Sequence, residues 1–348
     1  MNWFKKLSLS CATAAAVFAV MAAPSQAAGE LHLYNWGEYI NPEVVDKFSK
    51  EFDVKVSLDT YSTNEEMLAK IQAGAVGYDL VWPSVHISDI MLQLGLLEET
   101  KINQIKGFEN IDPGALRSKQ DPKADYCLPY AWGPVGIFYN KKVVGGDIKS
   151  WKEFFDYGEK NPGKITLLDD LRETLGIGLI VNGKSVNSRD PADIKLAEEF
   201  IIKQKPNVAA FRYDVIPLIE SGDIGAAHYY VGAVLNVNQK PSDLGFIIPE
   251  EGATMYQENI CMLKTAPNKE NALKFMEFMM RPDVSVLNTT MLTNGSVNTA
   301  AIPLLPENLK SNPSINPPSE VRAKLQIFED LGADLKVYDR AWSRIKAN

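Results

Sequence analysis

The chain has 348 residues, of which 45% are hydrophobic and 23% charged, and its formal net charge is −8. This composition is ordinary for a folded protein and excludes a disordered tract as its main state. The acidic balance disfavours nucleic acid as a partner, but many proteins are acidic for solubility alone, so only local carboxylates can argue for a cationic ligand.

The first 27 residues read as a removable export signal: Lys5 and Lys6 open it, Ala12 to Ala23 is its apolar run, and Ser25-Gln26-Ala27 is a small-residue cleavage site. Cleavage near Ala27 would leave a periplasmic chain starting at about Ala28 and carrying −10. The apolar run is short for a membrane helix and stops at Pro24, and Cys11 precedes most of it, where a lipid-modified cysteine would follow. No later stretch is long and apolar enough to span a bilayer. The remaining ~320 residues exceed what one core usually holds, which predicts two.

Leu31 to Tyr34 reads as a buried strand, Trp36 to Tyr39 as a loop, and Asn41-Pro42 as the cap and first residue of a helix carrying Val44, Val45 and Phe48 on one face. Val54 to Leu58 is a second strand. Asn64 is expected to cap a helix from Glu65 to Ala73 that Gly74 ends, and Tyr78 to Trp82 is a third strand. Strands and helices alternating at this pace imply parallel crossovers in a doubly wound sheet.

A second cycle follows Asn161-Pro162-Gly163: strand Ile165 to Leu168, helices Leu171 to Ile180 and Pro191 to Gln204, strand Val208 to Phe211, helix Pro217 to Glu220, and strands Ile224 to Tyr229 and Phe246 to Ile248. Tyr126 to Tyr139 and Asn259 to Leu263 read as strands crossing between the two lobes. Cys127 and Cys261, the only cysteines after the signal, fall on them. In an oxidising compartment they either bond, if these strands are antiparallel neighbours, or remain two buried thiols. The proline-rich segment Pro303 to Pro318 leads to helices expected at Glu320 to Phe328 and Leu335 to Lys346.

Ligands of open doubly wound sheets sit beyond the carboxyl ends of the strands. The loops Trp36 to Tyr39, Pro83 to His86, Asp169 to Glu173 and Tyr229 to Gly232 all leave strands at that edge. They offer aromatic faces in Trp36, Tyr39 and Tyr230 and carboxylates in Glu38, Asp170 and Glu173; Tyr256 and Glu258 add one of each. A linear amine with cationic ends and an apolar middle needs this pairing, since ammonium groups seek carboxylates and methylenes seek flat walls that also attract cations. Each residue also has a plainer role: Asp170 to Glu173 resembles a helix capping box, Trp36 and Tyr39 could be core, Glu38 a solvated charge, His86 a neutral hydrogen-bonder, and Tyr256 and Glu258 a surface turn. Only their common location favours a site.

The runs Tyr34-Asn35-Trp36-Gly37-Glu38-Tyr39, Tyr78-Asp79-Leu80-Val81-Trp82-Pro83-Ser84, Leu128-Pro129-Tyr130-Ala131-Trp132-Gly133, Asp169-Asp170-Leu171-Arg172-Glu173 and Met280-Arg281-Pro282-Asp283, in this order, resemble the periplasmic spermidine/putrescine-binding proteins. That resemblance implies an α/β, periplasmic-binding-protein-like (type II) clamshell of two doubly wound lobes joined by crossover strands. Lobe one would hold residues 28–131 and 260–303, and lobe two 132–259 and 304–348. It further implies a monomer without cofactor that hands a polyamine to an inner-membrane ABC permease with its ATPase. The implied ligand contacts are Trp36, Gly37, Glu38, Tyr39, Ser84, His86, Asp170, Glu173, Tyr230, Tyr256 and Glu258, with Gln326 beside a length difference. Tyr230 and Tyr256 stand where the family usually has tryptophan, Glu258 replaces an aspartate, His86 a tyrosine, and Asn294 falls near another expected tyrosine.

Two other readings compete. Tyr229-Tyr230, with His32, His86 or His228 and an acid, resembles the paired tyrosines of ferric-ion-binding clamshells, although neighbours on a strand face opposite ways. Another amine-bearing solute is a further possibility within the same class. An enzyme would need a nucleophile elbow, phosphate loop or zinc motif, and the sequence contains none of these.

Overall fold

The structure is a computed structural model that describes residues 29–347; the export signal read at 1–27 lies outside these residues. Among the described residues no helix is long and apolar enough to cross a membrane.

Eleven strands form one continuous sheet. They are β1 (Gly29–Trp36), β2 (Val54–Tyr61), β3 (Leu80–Val81), β4 (Cys127–Asn140), β5 (Ile165–Leu167), β6 (Val208–Phe211), β7 (Ala226–Tyr230), β8 (Leu244–Ile247), β9 (Ala253–Met262), β10 (Gly295–Ser296) and β11 (Leu325–Ile327). The main order is β2-β1-β3-β9-β4-β7-β5-β6, with β8 and β10 on β4 and β11 on β9. Strands β1, β2 and β3 are mutually parallel, as are β5, β6 and β7. The two parallel halves are joined by β4 and β9, which pair antiparallel with each other and with β7 and β3 respectively. Strand β4 matches the expected Tyr126 to Tyr139 to within one residue, whereas β9 is longer than expected: it begins at Ala253, so Tyr256 and Glu258 lie within a strand and not on a turn before it.

Helices cover the sheet where their apolar faces dictate. In the helix Pro42–Phe52, Asn41 caps through Glu43 N and Pro42 occupies the first turn, so Val44 and Phe48 turn inward. They join Leu31, Leu33, Trp82, Phe275 and Phe278 in one core. A separate core beneath the other half gathers Trp151, Phe154, Leu167, Ile177, Ile201 and Tyr338. Each such side chain stabilises the fold by about 1.5–3 kcal/mol on burial.

Cys127 lies directly opposite Cys261 in the β4–β9 ladder, and the two are disulfide-bonded with α-carbons 4.5 Å apart. That spacing is typical of a non-hydrogen-bonded antiparallel pair, the arrangement that brings facing side chains closest. Of the two alternatives left open by the sequence, the bond is therefore the one realised.

Two local expectations are overturned. Thr63, not Asn64, caps the helix Asn64–Gln72: its hydroxyl accepts from Glu66 N at 3.1 Å, while the Glu66 carboxylate accepts from the backbone of Ser62, one residue before the cap. The helix expected from Glu320 to Phe328 is confined to Ser319–Arg322, and Leu325–Ile327 forms β11 instead. Strand β3 covers β9 only at Cys261 and Met262, which leaves Ala253 to Met255 with an open edge; β11 fills it in parallel register, Leu325 beside Ala253. Satisfying those backbone groups outweighs local helical preference.

Candidate functional site

Strand β9 organises the site, because alternate residues of a strand face one side. Thr254, Tyr256 and Glu258 share a side, and each meets groups arriving from a loop at the carboxyl end of a parallel strand.

Glu258 meets the loops after β1 and β3. Its Oε2 accepts from the Tyr39 hydroxyl at 2.7 Å, and its Oε1 from the Ser84 hydroxyl at 3.2 Å. Ser84 is itself bridged to Glu258 through the backbone and gripped by Asn64, whose Nδ2 donates to Ser84 Oγ at 2.9 Å. Asn64 is free to do so because Thr63 has taken the cap. Tyr39 is braced from behind: a register shift in β4 between Pro129 and Ala131 frees Tyr130 from regular pairing, and its hydroxyl donates to Tyr39 O at 2.6 Å.

Tyr256 lies edge-on to Tyr230, with ring centroids 5.9 Å apart. Gly133, opposite Tyr256 in the β4–β9 register, makes room for this ring: a Cβ there would lie 2.6 Å from Tyr256 Oη and 2.5 Å from Val231 Cγ1. The phenol also reaches the side chains of Asn294 and Tyr39.

Thr254 donates its hydroxyl to Glu173 Oε2. Glu173 belongs to the helix Leu171–Val181, capped by Asp170, whose Oδ1 accepts from Arg172 N and Glu173 N at 2.8 and 2.9 Å. The capping reading therefore holds for Asp170. Glu173 turns instead toward the sheet.

Glu258 is 5% exposed and Glu173 4% exposed, yet neither they nor Asp170 form an ion pair with lysine or arginine among the described residues. Burial pushes Glu258 up to about 7, against the pull of the Tyr39 and Ser84 donors. Burial likewise pushes Glu173 up to about 7, opposed by Thr254 and the charge of Arg172, and Asp170 up to about 6, assisted by its neighbour Glu173. Arg172 does not neutralise them: its guanidinium bonds Glu329 O, Val186 O and Asn187 Oδ1 and lies over the Phe328 and Tyr338 rings. Desolvated acids without a fixed counter-charge mark a candidate functional site.

Other sequence candidates are placed differently. Trp36 is half-buried, its indole nitrogen donating to Trp82 O at 2.8 Å and its ring against Tyr61, so one edge serves the fold. Gly37 and Glu38 are exposed, and Glu38 adopts a left-handed φ of 54°. His86 faces Phe328, and burial followed by Arg172 depresses it to about 4. Gln326 spends its Oε1 on Val186 N at 3.0 Å. Asn64 and Thr254 are not legible in the sequence as site residues, although the alternation along β9 points to Thr254; His228 enters there only in the ferric-ion reading, and Asn294 only as standing near an expected tyrosine. The Tyr229 and Tyr230 rings lie edge-on to each other, centroids 6.0 Å apart, with Tyr229 also against Phe138 and Tyr230 against Tyr256; His32 is not beside them and bonds Ser57 on strand β2. Among the described residues no group of three or more His, Cys, Asp or Glu could hold a metal ion.

Residues 43–317 match the bacterial extracellular solute-binding proteins, and the chain belongs to that family. Its fold is the type II periplasmic-binding-protein clamshell: it superimposes on a spermidine/putrescine ABC transporter substrate-binding protein from Streptococcus pneumoniae with a TM-score of 0.84 at 29% identity, covering 92% of this chain and 99% of the other. The chain is 33% identical to the spermidine/putrescine-binding periplasmic protein of Salmonella typhimurium, over 91% of each. It is 32% identical to a putrescine-binding periplasmic protein of Escherichia coli, again over 91% of each.

Proposed function

We propose that this protein captures a polyamine of the putrescine or spermidine type between its two lobes and delivers it to an ABC importer in the inner membrane. One observation carries the reading: three carboxyl groups, Glu258, Glu173 and Asp170, are desolvated around a wall of tyrosines with no lysine or arginine ion-paired to them among the described residues. An ammonium at each end of a ligand would supply the missing charge, and Tyr39, Tyr230 and Tyr256 would enclose the methylenes between. The amides bonded to Asp170 both end on Oδ1, which leaves Oδ2 for the ligand. The lobes divide at 131/132, 259/260 and 303/304, residues 1–27 act as the export signal, and the protein binds as a monomer without transforming its ligand.

Calorimetric titration with putrescine, spermidine, neutral amino acids and ferric ion tests this. Micromolar or tighter binding of an amine, with the amine recovered unchanged, is expected; about −8 kcal/mol is within reach of two charge-assisted contacts and several buried methylenes. Amino acids bound in preference to diamines, or a visible tyrosinate–iron absorption band, would overturn it.

A further inference from the structure

His228 lies on β7 two residues before Tyr230 and therefore on the same side of the strand. It is 1% exposed, and neither of its ring nitrogens has a hydrogen-bond partner. Trp151 closes one side of the ring, edge-on at 5.5 Å between centroids. On the other side its Nε2 stands 3.7 Å from Glu173 Oε2, the oxygen that already accepts from Thr254. That gap is too long for a hydrogen bond and too short for anything to intervene. A buried imidazole with both nitrogens idle is costly, and a hydrocarbon side chain would fill the same space more favourably.

The groups that surround this pair narrow its purpose. The helix Leu171–Val181 brings Glu173 itself, with Asp170 at its cap and Arg172 pointing elsewhere; β9 brings the Thr254 hydroxyl; and Tyr213 and Tyr230 lie near enough for their phenols to feel the charge of both acids. Thr254 already donates to the carboxylate, and His228 stands 3.7 Å from the same oxygen without donating to it. We propose that His228 is a positioning residue for the cation site, its Nε2–H closing onto Glu173 Oε2 when a ligand ammonium draws that acid into its ionised form. On ligand arrival Glu173 yields its proton to solvent, and the carboxylate is then held between the ammonium, the Thr254 hydroxyl and the imidazole. His228 stays neutral throughout, because burial opposes its charged form. A neutral donor suits the position: a lysine or arginine there would satisfy the acid permanently and compete with the ligand.

The inference rests on the amine-binding reading, and the test separates the two. Putrescine affinity is measured by titration calorimetry from about pH 5.5 to 9 for the parent protein, His228→Phe, His228→Asn and His228→Gln, with melting temperature as the control for folding. Phe offers no donor and Asn is too short to reach Oε2, so both should weaken binding about tenfold at neutral pH and move the midpoint of the pH profile upward. Gln can place an N–H where Nε2 stood and should restore the parent profile. In a Glu173→Gln background His228→Phe should have no further effect. A folded Phe or Asn variant with the parent's affinity and pH profile, or an equal loss in the Glu173→Gln background, would overturn the role of His228. A parent protein that binds neither putrescine nor spermidine would remove the amine-binding reading itself.

Discussion

The Tyr39 hydroxyl donates to Glu258 Oε2 at 2.7 Å although 219 residues separate the two in the chain. Tyr39 comes from the loop after β1 and Glu258 from the crossover strand β9, so the bond ties the rim of one lobe to the sheet that joins both. Together with Ser84 it fixes the orientation of a buried carboxylate, the part of the proposed site most open to a clean test.

Glu258→Gln keeps the shape while losing the charge; its single amide oxygen can accept from Tyr39 or from Ser84, and the other hydroxyl must turn to accept from the NH2. Putrescine or spermidine affinity should fall about thirtyfold or more, as expected for removing one member of a desolvated charge pair, roughly 2–5 kcal/mol. Calorimetry on the folded variant measures this; an unchanged dissociation constant would place the cation elsewhere.

The same variant gives a pH signature. Glu258 titrates near 7 in the folded protein against an ordinary value of 4.5. Between these values the native state holds a proton that the unfolded chain does not, so this group's contribution falls as pH rises from about 4.5 to 7 and is fully unfavourable above, by about 3 kcal/mol. Without ligand, Glu258→Gln should match the parent in melting temperature near pH 5 and exceed it near pH 8. Saturating polyamine should raise the parent's melting temperature more at pH 8 than at pH 6, because the bound form needs the ionised acid.

Asp170→Asn separates capping from binding. Asparagine caps about as well as aspartate and carries no charge to desolvate, so the unliganded protein should melt no lower than the parent, and higher above about pH 6. Its affinity for the amine should nevertheless drop severalfold. Loss of stability with unchanged affinity would assign Asp170 to the helix alone.

Replacing Cys127 and Cys261 together by alanine opens a covalent loop spanning 134 positions. Stability should decrease by about 2–5 kcal/mol, read from denaturant unfolding. Polyamine affinity should change little, since Tyr39, Ser84 and Thr254 hold the acids independently of the sulfurs.

Much of the architecture was legible in local pattern. The helix Pro191–Gln204 and the strand Val208–Phe211 fall where periodicity and turn residues put them, and Asn41-Pro42 starts its helix as the capping rules require. Such features depend on side chains within one or two turns of each other, so a linear reading reaches them. The segment Leu325–Ile327 was misread because its state is decided by an open edge of β9 some 70 residues away in sequence, whose backbone groups need pairing more than the segment needs a helix.

The site divides along the same line. Residue types and their placement at strand ends named Tyr39, Asp170, Glu173 and Tyr230 as candidates, with Tyr256 and Glu258 beside a crossover strand, and the family resemblance added Ser84. Which acid caps a helix and which turns to the sheet, that Thr254 and His228 stand against Glu173, and that no arginine reaches the acids were decided only in three dimensions. Desolvation is a property of everything packed around a group, and a carboxylate's charge state is set by that surrounding and not by its neighbours in the chain.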